Sequence, residues 1–129
     1  MTSAPLRGCP MCGTPVADVK LGLRDYRWLA DALPGKVAPT DLDFVLERRG
    51  RFLVLEFKPA GASLPLGQRL TLKQLVRAGM DVWVVWGEDL DFIQVGAVDK
   101  RGDVPFVADM TVNRLKRYVA DWFKEVSDE

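Results

Sequence analysis

Apolar and polar positions along residues 41–58 fall into two short bursts, Asp41-Leu-Asp-Phe-Val-Leu-Glu47 and Arg51-Phe-Leu-Val-Leu-Glu-Phe-Lys58, separated by Arg48-Arg49-Gly50. Each burst has strand composition, and the basic and glycine spacer suits a short hairpin connection. Side chains two apart on a strand share a face, so Asp41 projects with Asp43, and Glu56 with Lys58. Pairing across the turn then brings the carboxylates of the first strand near the carboxylate and amine of the second. Pro59 ends the second strand directly after Lys58, because proline has no N–H to give to a ladder.

The rest of the pattern frames this hairpin. Tyr26, Leu29, Ala30 and Leu33 form one stripe, which predicts a helix over 21–33 stopped by Pro34-Gly35. Residues 67–78 put Leu72, Leu75 and Val76 on one face and end at Gly79, predicting a second helix. The nearly continuous apolar run 80–86 predicts a strand covered on both faces. Residues 92–98 read as a further strand, and 111–126 as a closing helix with Leu115, Tyr118, Val119, Trp122 and Val126 inward. Strand, helix, strand in that order predicts a parallel crossover, with Glu56 and Lys58 near the carboxyl end of its first strand. The expected fold class is α/β, a mixed central sheet flanked by helices.

Composition narrows the picture. At 129 residues and 48% hydrophobic the chain is sized for one domain with a real core. Residues 1–16, with Pro5, Gly8, Pro10, Gly13 and Pro15, read as a turn-rich arm, leaving 17–129 as the single α/β domain. Lys plus Arg equals Asp plus Glu at 18 each, so any field that attracts nucleic acid is local. No apolar stretch suits a signal peptide or a membrane span, and a cytoplasmic location is expected. Histidine is absent, which excludes histidine catalysis and histidine metal ligation. Cys9-Pro-Met-Cys12 has the two-thiolate turn of a zinc knuckle, but no other Cys or His completes a four-ligand Zn²⁺ site. Ligand counting therefore favours free thiols or a degenerate arm over zinc, unless two subunits share one ion or acids substitute.

The hairpin acids carry the candidate chemistry. Mg²⁺ prefers oxygen ligands and takes one or two carboxylates, a pair that Asp43 and Glu56 would supply. Such a cation polarises a phosphoryl oxygen and lowers the pKa of a bound water, giving a nucleophile without histidine. Lys58 would orient that water and offset charge developing at phosphorus. On the following helix Arg69, Lys73 and Arg77 lie four apart and form one basic stripe beside Gln68, able to seat phosphates without reading sequence. Plainer readings stand beside each. An E-x-K tripeptide alone is a cross-strand ion pair, a basic stripe is often a solvated face, and Trp83 and Trp86 are core more often than stacking platforms.

Taken together, Thr40-Asp41-Leu42-Asp43, Leu55-Glu56-Phe57-Lys58 and Gln68 at the start of a helix resemble the PD-(D/E)XK nuclease superfamily, closest to its compact VRR-NUC and Holliday-junction-resolvase types. The resemblance implies a restriction-endonuclease-like core of α-β-β-α-β order over residues 21–98. It implies metal ligation by Asp43, Glu56 and the backbone carbonyl of Phe57, with Lys58 as the family lysine and Gln68 as the helix glutamine. Thr40 separates Pro39 from Asp41, so Asp41 stands as the alternative ligand; the order Asp41-Leu42-Asp43-Phe44-Val45 matches relatives in which the second acid binds metal. The acid that the family often carries on its first helix has only Asp25 or Asp31 to fill it, which leaves a second metal open. The implied activity is Mg²⁺- or Mn²⁺-dependent hydrolysis of DNA, less readily RNA, and the resemblance extends to structure-selective resolvases, whose paired cuts need a homodimer. The alternative is a catalytically inactive nuclease-fold module that binds nucleic acid or a protein partner.

Overall fold

The computed structural model describes residues 26–35 and 39–128. The chain divides into two compact units, Met1–Thr40 and Asp41–Glu129. The expected boundary after residue 16 and the Cys9/Cys12 arm lie outside the described residues. In the first unit Tyr26–Ala32 is a 3₁₀ helix rather than the α-helix that the stripe predicts. Leu33 N–H closes on the Ala30 carbonyl at 3.0 Å, an i to i+3 bond. Pro34 disfavours α geometry at Leu33 and withdraws the next donor, so the coil stops short. Of the stripe, Leu29 and Leu33 are exposed, at 45% and 39%.

The second unit is α/β, a five-stranded mixed sheet with two helices. The strands are β1 (Phe44–Arg48), β2 (Arg51–Lys58), β3 (Asp81–Asp89), β4 (Phe92–Ala97) and β5 (Val107–Met110), and they lie in that order across the sheet. Only β2 and β3 run parallel; the other three pairings are antiparallel. Helix α1 (Leu66–Arg77) connects the parallel pair, and α2 (Val112–Ser127) closes the chain. The two helices pack on opposite faces, because strand side chains alternate. Val54, Val82 and Val84 pack with Leu72 of α1. Leu53 and Leu55 pack with Trp122 and Val126 of α2, and Val85 and Ile93 pack with Leu115. Strands β2 and β3 are thus covered on both sides, as their apolar runs require. Each fully buried Val or Leu contributes on the order of 1.5–3 kcal/mol.

The hairpin is tighter than the three-residue spacer suggests. Arg48 pairs with Arg51, leaving Arg49 and Gly50 as the turn, with φ of 54° and 82°. Positive φ at both positions is the mark of the two-residue turn whose twist matches the strands. Arg49 holds that conformation by donating from Nη1 to the Ser127 carbonyl at 2.9 Å, and Arg48 donates from Nε to Ser127 Oγ at 2.8 Å. The Arg48 guanidinium also lies 4.8 Å from the Phe123 ring centroid. Two cations therefore meet the carbonyl end of α2, where the helix dipole favours them.

Strand β3 extends past Trp86 to Asp89 through an irregularity between those residues, with Gly87 at φ 143°. Strand β5 was not expected from the sequence; it adds to β4 through pairs such as Val95 with Ala108. The loop before it is built on Asp99, whose Oδ1 accepts from the Arg101 and Asp103 amides at 2.9 Å each. These bonds, that from Asp103 foremost, hold the Asp99 carboxyl below its ordinary pKa. No helix among the described residues is long and apolar enough to cross a membrane.

Candidate active site

Asp43 and Glu56 come together because of the hairpin register. Phe44 pairs with Leu55, so the residue before β1 stands opposite the residue after Leu55. Strand β1 begins only at Phe44, which leaves Asp41 and Asp43 outside the ladder. Asp43 instead continues it with its side chain: Oδ2 accepts from the Phe57 amide at 2.9 Å. That contact fixes the Asp43 carboxylate beside the backbone of the E-x-K segment and leaves Oδ1 without a bond among the described residues.

Glu56 follows Val54 on the face that carries α1 and is only 4% exposed. Its Oε2 accepts from Gln68 Nε2, in the first turn of α1. No side chain among the described residues caps that helix end. Burial raises the Glu56 pKa, the Asp43 charge raises it further and Asp41 adds to the same trend; Gln68 and Lys58 pull it down without cancelling the rise. Glu56 Oε1 and Gln68 Oε1 are both buried with no hydrogen-bond partner among the described residues. Lys58 lies one strand repeat beyond Glu56 and is half-buried. Its ammonium makes no hydrogen bond or ion pair among the described residues and is felt by Glu56 as a charge.

A neighbour that the sequence reading treated as core completes the setting. Trp86 pairs with Lys58 in the parallel register. Its indole Nε1 donates to the Ala62 carbonyl at 2.8 Å, which ties the 59–65 loop beside the lysine. A strand-end indole facing a proline- and glycine-rich loop is the signal that could have found this bond. Glu88 adds a second tie, accepting from the Ala60 amide at 3.3 Å.

The structure thus gathers Asp43, Glu56, Lys58 and Gln68, with Asp41 close enough to act on Glu56 electrostatically. Comparison of the chain with protein-family models, curated proteins and solved structures found no match. The chemistry of the site rests on its geometry alone.

The basic stripe is placed less freely. Arg69 donates from Nε to the Gly102 carbonyl at 3.2 Å and from Nη2 to Asp103 Oδ1 at 2.6 Å. Arg77 Nε donates to the Lys100 carbonyl at 3.0 Å. Lys73 packs alongside Gly102, where an added Cβ would come within 3.2 Å of Lys73 Cβ. The stripe therefore clamps the 99–103 loop onto α1, and only Lys73 keeps its charge without a hydrogen bond or ion pair among the described residues. An apolar groove of about 420 Å³ on the α2 face is bordered by Phe57, Leu90 and Leu115.

No group of three or more Asp, Glu, Cys or His side chains among the described residues is arranged to hold a metal ion. A cation at Glu56 would rest on two carboxylates and neutral oxygens, which is the donor set Mg²⁺ accepts. The buried, unpartnered oxygen of Glu56 fits such a role, since a buried acceptor without a donor costs about 1–3 kcal/mol.

Proposed function

We infer that the protein is a metal-dependent nuclease with a PD-(D/E)XK-like core, hydrolysing phosphodiester bonds of DNA. The observation that carries this reading is the Asp43 carboxylate, held by the Phe57 amide, acting on buried Glu56 at the open end of the hairpin, next to a Lys58 without a hydrogen bond or ion pair among the described residues. Burying a carboxylate beside a second one is unfavourable in a purely structural strand, and a site that takes a cation turns that cost into affinity. A divalent cation bound there supplies Lewis acidity and lowers the pKa of a water. The chain's own residues do the remainder. Asp43, held by the Phe57 amide, and Glu56, held by Gln68, present oxygens in a fixed geometry. The carbonyl of Phe57 joins them in the family arrangement. Lys58 orients the attacking water and neutralises charge that develops at phosphorus, and electrostatic groups placed this way are each worth about 10²–10³ in rate.

The test is cleavage of DNA in Mg²⁺ or Mn²⁺ by wild type and Lys58→Ala. The variant is expected to keep its fold and its Mn²⁺ affinity while losing at least about 100-fold in rate. Equal activity in both would sink the assignment. The second reading, an inactive nuclease-fold module that binds nucleic acid or a protein, draws on the absence of a three-acid group among the described residues. It predicts no Mn²⁺ binding at Asp43 and Glu56.

A further inference from the structure

The Gln68 carboxamide presents two edges, and only one is used. Its Nε2 donates to Glu56 Oε2, while its Oε1 and the second oxygen of Glu56 are both buried and both lack a donor among the described residues. Two acceptors cannot satisfy each other. Each sits on the same carbon as an atom of the shared hydrogen bond, so both belong to the contact between β2 and the first turn of α1. Asp43 brings a third oxygen from the segment before β1, since its Oδ2 is committed to the Phe57 amide and Oδ1 is not. Arg69, the next residue of α1, is turned away to Asp103 and Gly102 and does not serve these oxygens.

We propose that Gln68 is a ligand of the divalent cation through Oε1, standing with Asp43 and Glu56 as the third side-chain oxygen of the centre. This rests on the nuclease reading above and deepens it. Hard cations take carboxamide oxygens together with carboxylates. Two carboxylates balance a dication; a neutral third oxygen completes the shell without adding a charge that would have to be buried. Gln68 thus acts twice, holding Glu56 by its N–H and the cation by its carbonyl. Coordination also removes both orphaned acceptors at once, which a purely hydrogen-bonding Gln68 leaves unexplained.

The test is Mn²⁺ binding by calorimetry to the full chain, without nucleic acid, on wild type, Gln68→Met, Gln68→Glu and Glu56→Gln, with circular dichroism to verify folding. Gln68→Met keeps the side-chain length and removes the oxygen; it is expected to weaken Mn²⁺ at least about tenfold. Gln68→Glu supplies an oxygen in the same place but no N–H, and is expected to keep more of the Mn²⁺ affinity than Gln68→Met. Wild-type affinity in Gln68→Met overturns the proposal. So does a loss in Gln68→Glu equal to that in Gln68→Met, which assigns Gln68 to hydrogen bonding alone. In both cases the nuclease reading survives, provided Glu56→Gln abolishes binding. No Mn²⁺ binding by wild type overturns both.

Discussion

A glutamate that is 4% exposed, with one carboxylate oxygen bonded and the other without a partner among the described residues, resists ionisation, and Glu56 accordingly has a raised pKa. The consequence for stability has a definite sign. Between the ordinary value of 4.5 and the raised native value, the folded state holds a proton that the unfolded chain has lost, so stability falls as pH rises through that window. Below 4.5 both states are protonated and the penalty vanishes. Glu56→Gln, melted in chelator, is therefore expected to have a higher Tm than wild type at pH 7, with the gain disappearing below pH 4.5. Added Mn²⁺ should raise the wild-type Tm and leave that of the variant unmoved. A difference that stays constant with pH would show that ionisation of Glu56 is not what destabilises the site.

At the scale of elements, the site depends on how closely α1 and the 99–106 segment press on the sheet. Leu72 is fully buried where α1 meets β2 and β3, and Leu72→Ala is expected to cost about 2–5 kcal/mol by urea unfolding. Gly96 of β4 leaves no room on the same face. A Cβ there would lie 2.3 Å from Val104 Cγ1 and 2.7 Å from the Phe106 carbonyl oxygen, so Gly96→Ala should destabilise by about 1–3 kcal/mol. An unchanged midpoint in either variant would contradict this packing. Elements such as α1, β2 and β3 were legible because their periodicity is long and buried. Strand β5 was not, since four residues carrying an exposed Asp109 show no pattern of their own and pair only because β4 offers an edge. The end of β3 was hidden for a similar reason, as Gly87-Glu88-Asp89 reads as a turn. The pairing of Asp43 with Glu56 could be read from hairpin register. The Gln68 bond, the orphaned oxygens and the Arg69 to Asp103 pair could not, because they depend on contacts between residues 12 and 34 positions apart.

The whole molecule carries no net charge, so the proposed function requires that attraction to DNA come from a few cations around the site. On α1 those cations are unequal. Arg69 is neutralised by Asp103 at 2.6 Å, and Lys73 has no ion pair among the described residues. With Lys58→Ala used to prevent cleavage, Lys73→Gln is expected to reduce the slope of log K against log salt by about 1, and Arg69→Gln by less. Equal slopes in all three proteins would remove the stripe from the interface. The central claim is that Asp43 and Glu56 hold a cation that cuts DNA. Its most direct test is a cleavage panel of linear, single-stranded, flap and four-way DNA in Mg²⁺ and Mn²⁺, with chelator controls, for wild type beside Glu56→Ala. Metal-dependent products from at least one substrate, absent with chelator and absent in Glu56→Ala, are predicted. No cleavage of any substrate by wild type, or cleavage that persists in Glu56→Ala, would contradict the account.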